Sequence, residues 1–93
     1  MAAASAGSNT SITTAEDIYN NSNGCTSLLV RCPSGSAVSL QIHVDGLHDT
    51  DEWAELEAGT EYIFRNKNMG IGRVQAKGKS GTASAIWFVV AKT

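Results

Sequence analysis

Residues 82–91 place the strongest constraint on how this 93-residue chain can fold. Five consecutive large apolar residues, 86–90, follow a Gly-Lys-Ser-Gly cluster. The run is short and rich in β-branched and aromatic side chains, so it predicts a strand. Both faces of this strand would be apolar, because side chains alternate along a strand. In a small domain one face can meet the core. The other, formed by Ile86, Phe88 and Val90, therefore predicts contact with a terminal arm or a second subunit.

Turn residues divide the rest of the chain into short strands without a long helical period. The clearest alternation lies in residues 38–44, where Val, Leu, Ile and Val would point inward and Ser, Gln and His outward. Further strands are predicted at residues 26–32, 60–66 and 71–77. This spacing is typical of an all-β fold, a small antiparallel β-sandwich or barrel-like sandwich of about six to seven strands.

The N-terminal quarter of the chain gives weaker signals. Residues 1–11 contain only small and polar side chains after the methionine, which predicts an extended arm, either disordered or ordered by a partner, ahead of a single β-sandwich domain at residues 12–93. Residues 12–19 allow either a helical turn or an edge strand. The Asn-Asn-Ser-Asn-Gly sequence at residues 20–24 predicts a turn. The arm is a candidate partner-binding segment through Ser5, Asn9 and Ile12.

Composition narrows the possible partners. The formal net charge is −2, whereas nucleic-acid binding usually needs a basic face, so we expect no nucleic-acid partner. No run approaches the roughly 20 apolar residues of a membrane-spanning helix, so we also expect no membrane partner.

The two cysteines resemble a disulfide pair only by their proximity in sequence. If one strand joins Cys25 to Cys32, their Cα atoms lie about 23 Å apart and their side chains point to opposite faces. A disulfide needs Cα atoms within about 7 Å, so free thiols and a reducing compartment are predicted.

One segment, residues 43–52, is dense enough in histidines and carboxylates to suggest chemistry. His48, Asp49 and Asp51 are weak candidates for a divalent cation, but Trp53 and Ala54 stand where a calcium loop would continue. A solvated acidic loop is the simpler interpretation. We expect no metal, no cofactor and no catalytic site, because no nucleophile, base and orienting group stand out together.

Charge and aromatic residues suggest further contacts. Seven acidic residues fall within residues 45–61 and five basic residues within residues 65–79. Ordinary solvated strand faces explain this separation. A sharper hypothesis is that acidic and basic edges meet on neighbouring subunits of a ring, with Arg73 and Lys77 as contacts. Trp53, at the end of the acidic loop, is a further candidate for partner contact.

The order of signals over residues 38–91 resembles a known family. An alternating strand leads through a polar segment to Leu56-Glu-Ala-Gly59, two strands follow, and Ser80-Gly-Thr-Ala83 opens the apolar terminal strand. This layout is similar to the small β-sandwich auxiliary proteins of tailed-bacteriophage virions. The resemblance implies a structural virion protein, either a capsid decoration (cement) protein or a tail or fibre component.

These observations combine into one functional prediction. The chain is predicted to be a non-enzymatic structural protein that forms a homo-oligomer, a ring or trimer, and binds a major capsid or tail protein. Its predicted location is the virion, after assembly in the host cytoplasm. The alternative is a carbohydrate-binding or adhesin-type module of a tail or fibre, with Trp53, Tyr62 and residues 48–51 as its binding site.

Overall fold

The computed structural model of the chain describes residues 6–92, without the side chains of residues 22, 23 and 92. Seven strands form in this part of the chain, and every strand pair is antiparallel. The strands are β1 (Ala6–Ile12), β2 (Glu16–Cys32), β3 (Leu40–Val44), β4 (Ala54–Leu56), β5 (Thr60–Arg65), β6 (Ile71–Gly78) and β7 (Ala83–Lys92). The predicted all-β antiparallel fold is confirmed.

The strands form two layers, and the long strand β2 takes part in both. Residues 25–32 of β2 pair with β5 on one side and β7 on the other, and β7 pairs with β1. Residues 16–25 pair instead with β6, which continues to β3 and β4. We call the first layer sheet I (β1, β7, residues 25–32, β5) and the second sheet II (residues 16–25, β6, β3, β4). The molecule measures 33 × 30 × 19 Å, and its thin dimension suits two packed sheets.

A continuous core lies between the sheets. Leu28 and Val30 of sheet I and Ile42 and Val74 of sheet II are fully buried in one cluster. The alternation predicted for residues 38–44 is confirmed over β3, where Leu40, Ile42 and Val44 are buried. The strand begins at Leu40 rather than at residue 38, and His43, predicted to be exposed, is only 8% exposed. Among the described residues no helix is long and apolar enough to cross a membrane.

The turn predicted at residues 20–24 is wrong, because β2 continues through this segment. The pairing of β2 with β6 shifts register between Asn20 and Cys25, and Gly24 has a φ of 67°. A Cβ atom at Gly24 would lie 2.9 Å from the Ile71 carbonyl oxygen, so glycine fits both the conformation and the space. The turn-forming residues therefore make a bulged corner at which β2 passes from sheet II to sheet I.

The same corner changes the prediction for the cysteines. Cys25 and Cys32 are free thiols, as predicted, and both are fully buried in the core. The prediction that they point to opposite faces is wrong. Register shifts on either side of Ser27 in the β2–β7 pairing restore Cys25 to the core side.

The predicted arm is part of the domain over the residues that the structure describes. Residues 6–12 form β1, which pairs with β7 from Ala6–Phe88 to Ile12–Ala83. Of the two interpretations of residues 12–19, the edge strand is the correct one, since residues 16–20 open β2 at the edge of sheet II. A domain boundary between residues 11 and 12 is therefore not seen, because β1 crosses it.

Candidate functional site

The outer face of sheet I is apolar. Ile86, Phe88 and Val90 point away from the core, as predicted, and are 39%, 44% and 46% exposed. In the strand register Phe88 lies beside Leu29 of β2, and Leu29 lies beside Ile63 of β5. On the other side, Phe88 pairs with Ala6 of β1. We call the surface formed by Ala6, Leu29, Ile63, Ile86, Phe88 and Val90 the apolar face.

The inner face of β7 explains why these side chains remain outside. Ala83 and Ala85 are buried, and Trp87 and Val89 pack partly buried against the core. Trp87 lies across β1 so closely that a Cβ atom on Gly7 would be 2.6 Å from its ring. The core side of β7 is thus fully occupied, and Ile86, Phe88 and Val90 cannot also turn inward.

Leu29 and Ile63 were missed by the sequence analysis. Leu29 is only 8% exposed, yet it does not belong to the core cluster, since its neighbours Leu28 and Val30 occupy the core side. Its cover comes from side chains on the same outer face. The consecutive apolar residues 28–30 were the available signal, because they show the same two-sided pattern as residues 86–90.

Three charged residues lie on or beside the apolar face. Glu61 and Arg65 lie two residues before and after Ile63 on β5, and Arg31 lies on β2 between Ile86 and Glu61. All three are exposed, and none forms an ion pair with another side chain that the structure describes. The apolar face is therefore flanked by charges that the chain itself does not neutralise.

The outer face of sheet II is polar, and several of its charges form ion pairs within the chain. The Arg73 guanidinium lies 3.0 Å from an Asp17 oxygen and 3.5 Å from an Asp45 oxygen. Its hydrogen bond holds the pKa of the Asp17 carboxyl below the ordinary value. Lys79 lies 3.0 Å from Glu55. These contacts pair Asp45 and Glu55 of the acidic segment with Arg73 and Lys79 of the basic segment inside one subunit, so Arg73 has carboxylate partners without a neighbouring subunit.

Lys77 and Trp53, both predicted to bind a partner, contact each other. The Lys77 ammonium lies 4.3 Å from the centre of the Trp53 ring. The ring centroid of Trp53 lies 5.4 Å from that of His43, and His43 is only 8% exposed although it points outward from β3. Trp53 thus covers part of the sheet II surface. Tyr62 packs against Phe64 and Phe64 against His48, so Trp53 and Tyr62 lie at the two ends of a row of rings, with His43, His48 and Phe64 between them.

Hydrogen bonds of His43, in β3, and of His48, in the loop itself, hold the loop of residues 45–53 in place. His43 Nδ1 lies 2.9 Å from the Glu52 carbonyl oxygen, and the Val44 amide donates to His48 Nδ1 at 3.0 Å. Burial lowers the pKa of His48, because the charged form is poorly solvated there. His48 Nδ1 is thereby occupied, and residues 6–92 contain no group of three side chains of the types that bind metals. Asp49 and Asp51, the other weak metal candidates, are exposed.

The remaining predicted contact residues belong to β1 or precede it. Ile12 is fully buried in the chain's own core, so the prediction that it contacts a partner is wrong. The Asn9 amide donates to Glu16 Oε2 at 3.0 Å, and Asn9 Oδ1 accepts from the Ser11 amide, so Asn9 stabilises the β1–β2 turn. Ser5 lies outside the described residues.

Comparisons with known proteins give the fold a precedent but no family. No family model matches the chain, and no curated protein matches it. A solved structure described as "Bacillus endospore appendages form a novel family of disulfide-linked pili" is similar, with a TM-score of 0.54 and 15% sequence identity. The similarity covers 92% of this chain and 84% of that chain. At this identity it shows a shared fold, and it provides no link to phage proteins.

Proposed function

We propose that this chain is a structural subunit, without enzymatic activity, that assembles with other subunits through the apolar face. One observation carries the proposal: a central strand of sheet I keeps Ile86, Phe88 and Val90 between 39% and 46% exposed. Contiguous apolar surface on a small domain is typical of interaction sites. The charges on and beside this surface form no ion pair with another described side chain, whereas Arg73 and Lys79 on the opposite side are ion-paired and Lys77 contacts the Trp53 ring, so sheet I is the side left for a partner.

The shared fold supports the proposal. The similar structure is described as a pilus, and a pilus is a polymer of structural subunits. A virion component, as the sequence resemblance implies, and a subunit of a surface appendage are both structural assemblies of this kind. The sequence resemblance favours one specific role, which is capsid decoration or a tail component, with the virion as the location.

Assembly in this chain would be non-covalent. The pili of the similar structure are described as disulfide-linked, whereas Cys25 and Cys32 are the only cysteines in this sequence and both are fully buried. A buried thiol in the core is not available to a neighbouring subunit without unfolding. We therefore expect apolar burial, rather than cross-linking, to hold the assembly together.

The test is to follow the mass of the purified chain across concentrations. We expect light scattering after size exclusion to show a mass that rises between micromolar and millimolar protein, and electron microscopy to show defined particles at the upper end. Both results should be the same with and without a reducing agent. A monomer at every concentration would overturn the proposal, and assembly that requires oxidation would overturn its non-covalent form.

A further inference from the structure

This inference rests on the proposed function and specifies the contact. We infer that the apolar face binds a second copy of this chain face to face, about a two-fold axis that runs across the strands along the row of Phe88, Leu29 and Ile63.

The row itself is apolar and lies at the centre of the face. Phe88, Leu29 and Ile63 are neighbours across three hydrogen-bonded strands. A two-fold axis along this row places each of the three opposite its own counterpart in the second copy. Leu29 is already nearly buried, so the contact would mainly remove Phe88 and its β7 neighbours from water.

On β7 and β5 the residues on either side of the row match each other under the same axis, while on β2 Arg31 faces Ser27 of the partner subunit. Side chains two residues apart on a strand share a face, so the axis exchanges position −2 with position +2. On β7 it places Ile86 opposite Val90 of the partner subunit, apolar against apolar. On β5 it places Glu61 opposite Arg65 of the partner subunit, acid against base, and the symmetry forms this pair twice.

An axis along the strands gives a poorer match. It exchanges β5 with β1, so Glu61 would lie opposite Ser8 of the partner subunit, on the evidence of the register Ile86–Ser8. Glu61 and Arg65 would then be desolvated without an opposite charge across the interface, which is costly, whereas Arg31 has only its cross-strand neighbour Glu61 under either axis. The pattern Glu61–Ile63–Arg65 is complementary to itself only when the second strand runs in the opposite direction. That self-complementarity identifies the occupant as a second copy of this chain.

The size of the face sets the strength of the contact. Four strands at about 4.8 Å spacing and some seven residues at 3.3 Å give a face of about 20 × 25 Å. Counted on both copies this is about 1,000 Å², below the roughly 1,200–2,000 Å² of standard specific interfaces and in the range of weak or transient complexes. We therefore expect a reversible dimer with a dissociation constant in the micromolar range, which would serve as a unit within a larger assembly.

Charge reversal tests this geometry. The variant Glu61→Arg opposes two arginines in each pair, and Arg65→Glu opposes two carboxylates, so each variant alone should dimerise at least tenfold more weakly than the natural chain. An equimolar mixture of the two variants should recover dimerisation, because every pair in the heterodimer is again acid against base. The double variant Glu61→Arg with Arg65→Glu should also recover it. Sedimentation velocity on each sample measures these changes.

The controls separate this contact from general effects of charge. Glu57→Arg and Lys67→Glu, at exposed positions in turns, change the net charge by the same amounts and should leave dimerisation unchanged, alone or mixed. Thermal melting checks that each variant folds, since Glu61→Arg also places two arginines side by side with Arg31.

The outcomes distinguish this inference from the proposed function. If the natural chain assembles but both single variants assemble equally well, or the mixture shows no recovery, the face-to-face arrangement is overturned and the structural role stands. If the natural chain is monomeric throughout, the proposed function itself fails.

Discussion

The two outer faces of this sandwich differ in whether their side chains find interaction partners within the same chain. On sheet II the charged groups find partners in the same chain: Arg73 holds Asp17 and Asp45, and Lys79 holds Glu55. On sheet I apolar side chains are half exposed, and Glu61, Arg31 and Arg65 have no ion-pair partner among the side chains that the structure describes. A face that completes its own interactions is stable in water, whereas a face that does not is suited to a partner.

The difference also shows why charge alone is a poor guide to an interface. The sequence separates acidic from basic residues, which suggests complementary edges on different subunits. The fold instead brings β6 beside β3 and the start of β2, so the acidic and basic segments meet within one molecule. The informative charges are Glu61, Arg31 and Arg65, which lie on or beside the apolar face and form no ion pair with another described side chain.

The largest expected effect comes from removing an aromatic ring from the apolar face. Phe88→Ser should weaken self-association by roughly a hundredfold, because burying two half-exposed rings contributes about 2–3 kcal/mol. The matched change on the other face, Gln41→Ser, should leave association unchanged. Equal association of both variants, measured by light scattering across concentrations, would contradict the distinction between the two faces.

The next effect tests whether β1 belongs to sheet I or is a free arm. Gly7→Ala would place a methyl group 2.6 Å from the Trp87 ring, so the ring or the strand must move. We expect the free energy of unfolding to fall by about 1–3 kcal/mol. Gly35→Ala, with no atom within 4 Å of the new methyl group, is the control and should be close to neutral. Chemical denaturation measures both, and a neutral Gly7→Ala would show that β1 is not held by Trp87.

The variant Trp53→Ala tests whether the outer face of sheet II completes its interactions within the chain. Its loss should reduce the free energy of unfolding by about 1–2 kcal/mol, less than for a fully buried tryptophan, because the ring is only partly covered. It should not affect self-association. Tyr62→Ala, at a ring that is 56% exposed, should have the smaller effect on stability. Glycan binding that disappears with Trp53→Ala would instead support the carbohydrate-binding alternative.

The smallest expected effect is the dependence of the free energy of unfolding on pH, through His48 in the loop over sheet II. Burial lowers the pKa of His48 in the folded chain from its ordinary value of 6.5, so below that value the unfolded chain binds the proton more readily. The free energy of unfolding should therefore fall as the pH drops through 6.5, because a proton on Nδ1 opposes the Val44 amide.

The surroundings of His48 define the control for this measurement. The charge of Glu52 raises the pKa of His48, whereas His43 lowers it in the same direction as burial. Burial is the largest of the three effects. The variant His48→Asn keeps an acceptor for the Val44 amide without titrating, so it should lose less stability on acidification. Urea denaturation at pH 7.5 and pH 5.5 compares the two chains, and identical pH dependence would show that His48 is not responsible. The apolar face contains no histidine, so this effect belongs to sheet II.

Much of the fold was accessible from local patterns. Residues 38–44 and 71–77 alternate clearly, and the structure places Ile42 and Val74 inward and Gln41 and Gln75 outward as expected. The apolar side chains of residues 86, 88 and 90 were also identified. The corner at residues 20–24 and the role of β1 were not, since glycine and asparagine suit a bulge as well as a turn, and small polar residues suit an edge strand as well as a disordered arm.

The sequence by itself determined which side chains share a face, because alternation along a strand is a local property with a period of two residues. The tertiary structure alone decided which strands are neighbours. It brought Leu29 and Ile63 beside Phe88, buried Ile12, and paired Arg73 with Asp17, which is 56 residues away in the chain. Strand pairing joins residues that are distant in sequence, and its free energy depends on how all the strands pack together, so no single segment encodes it.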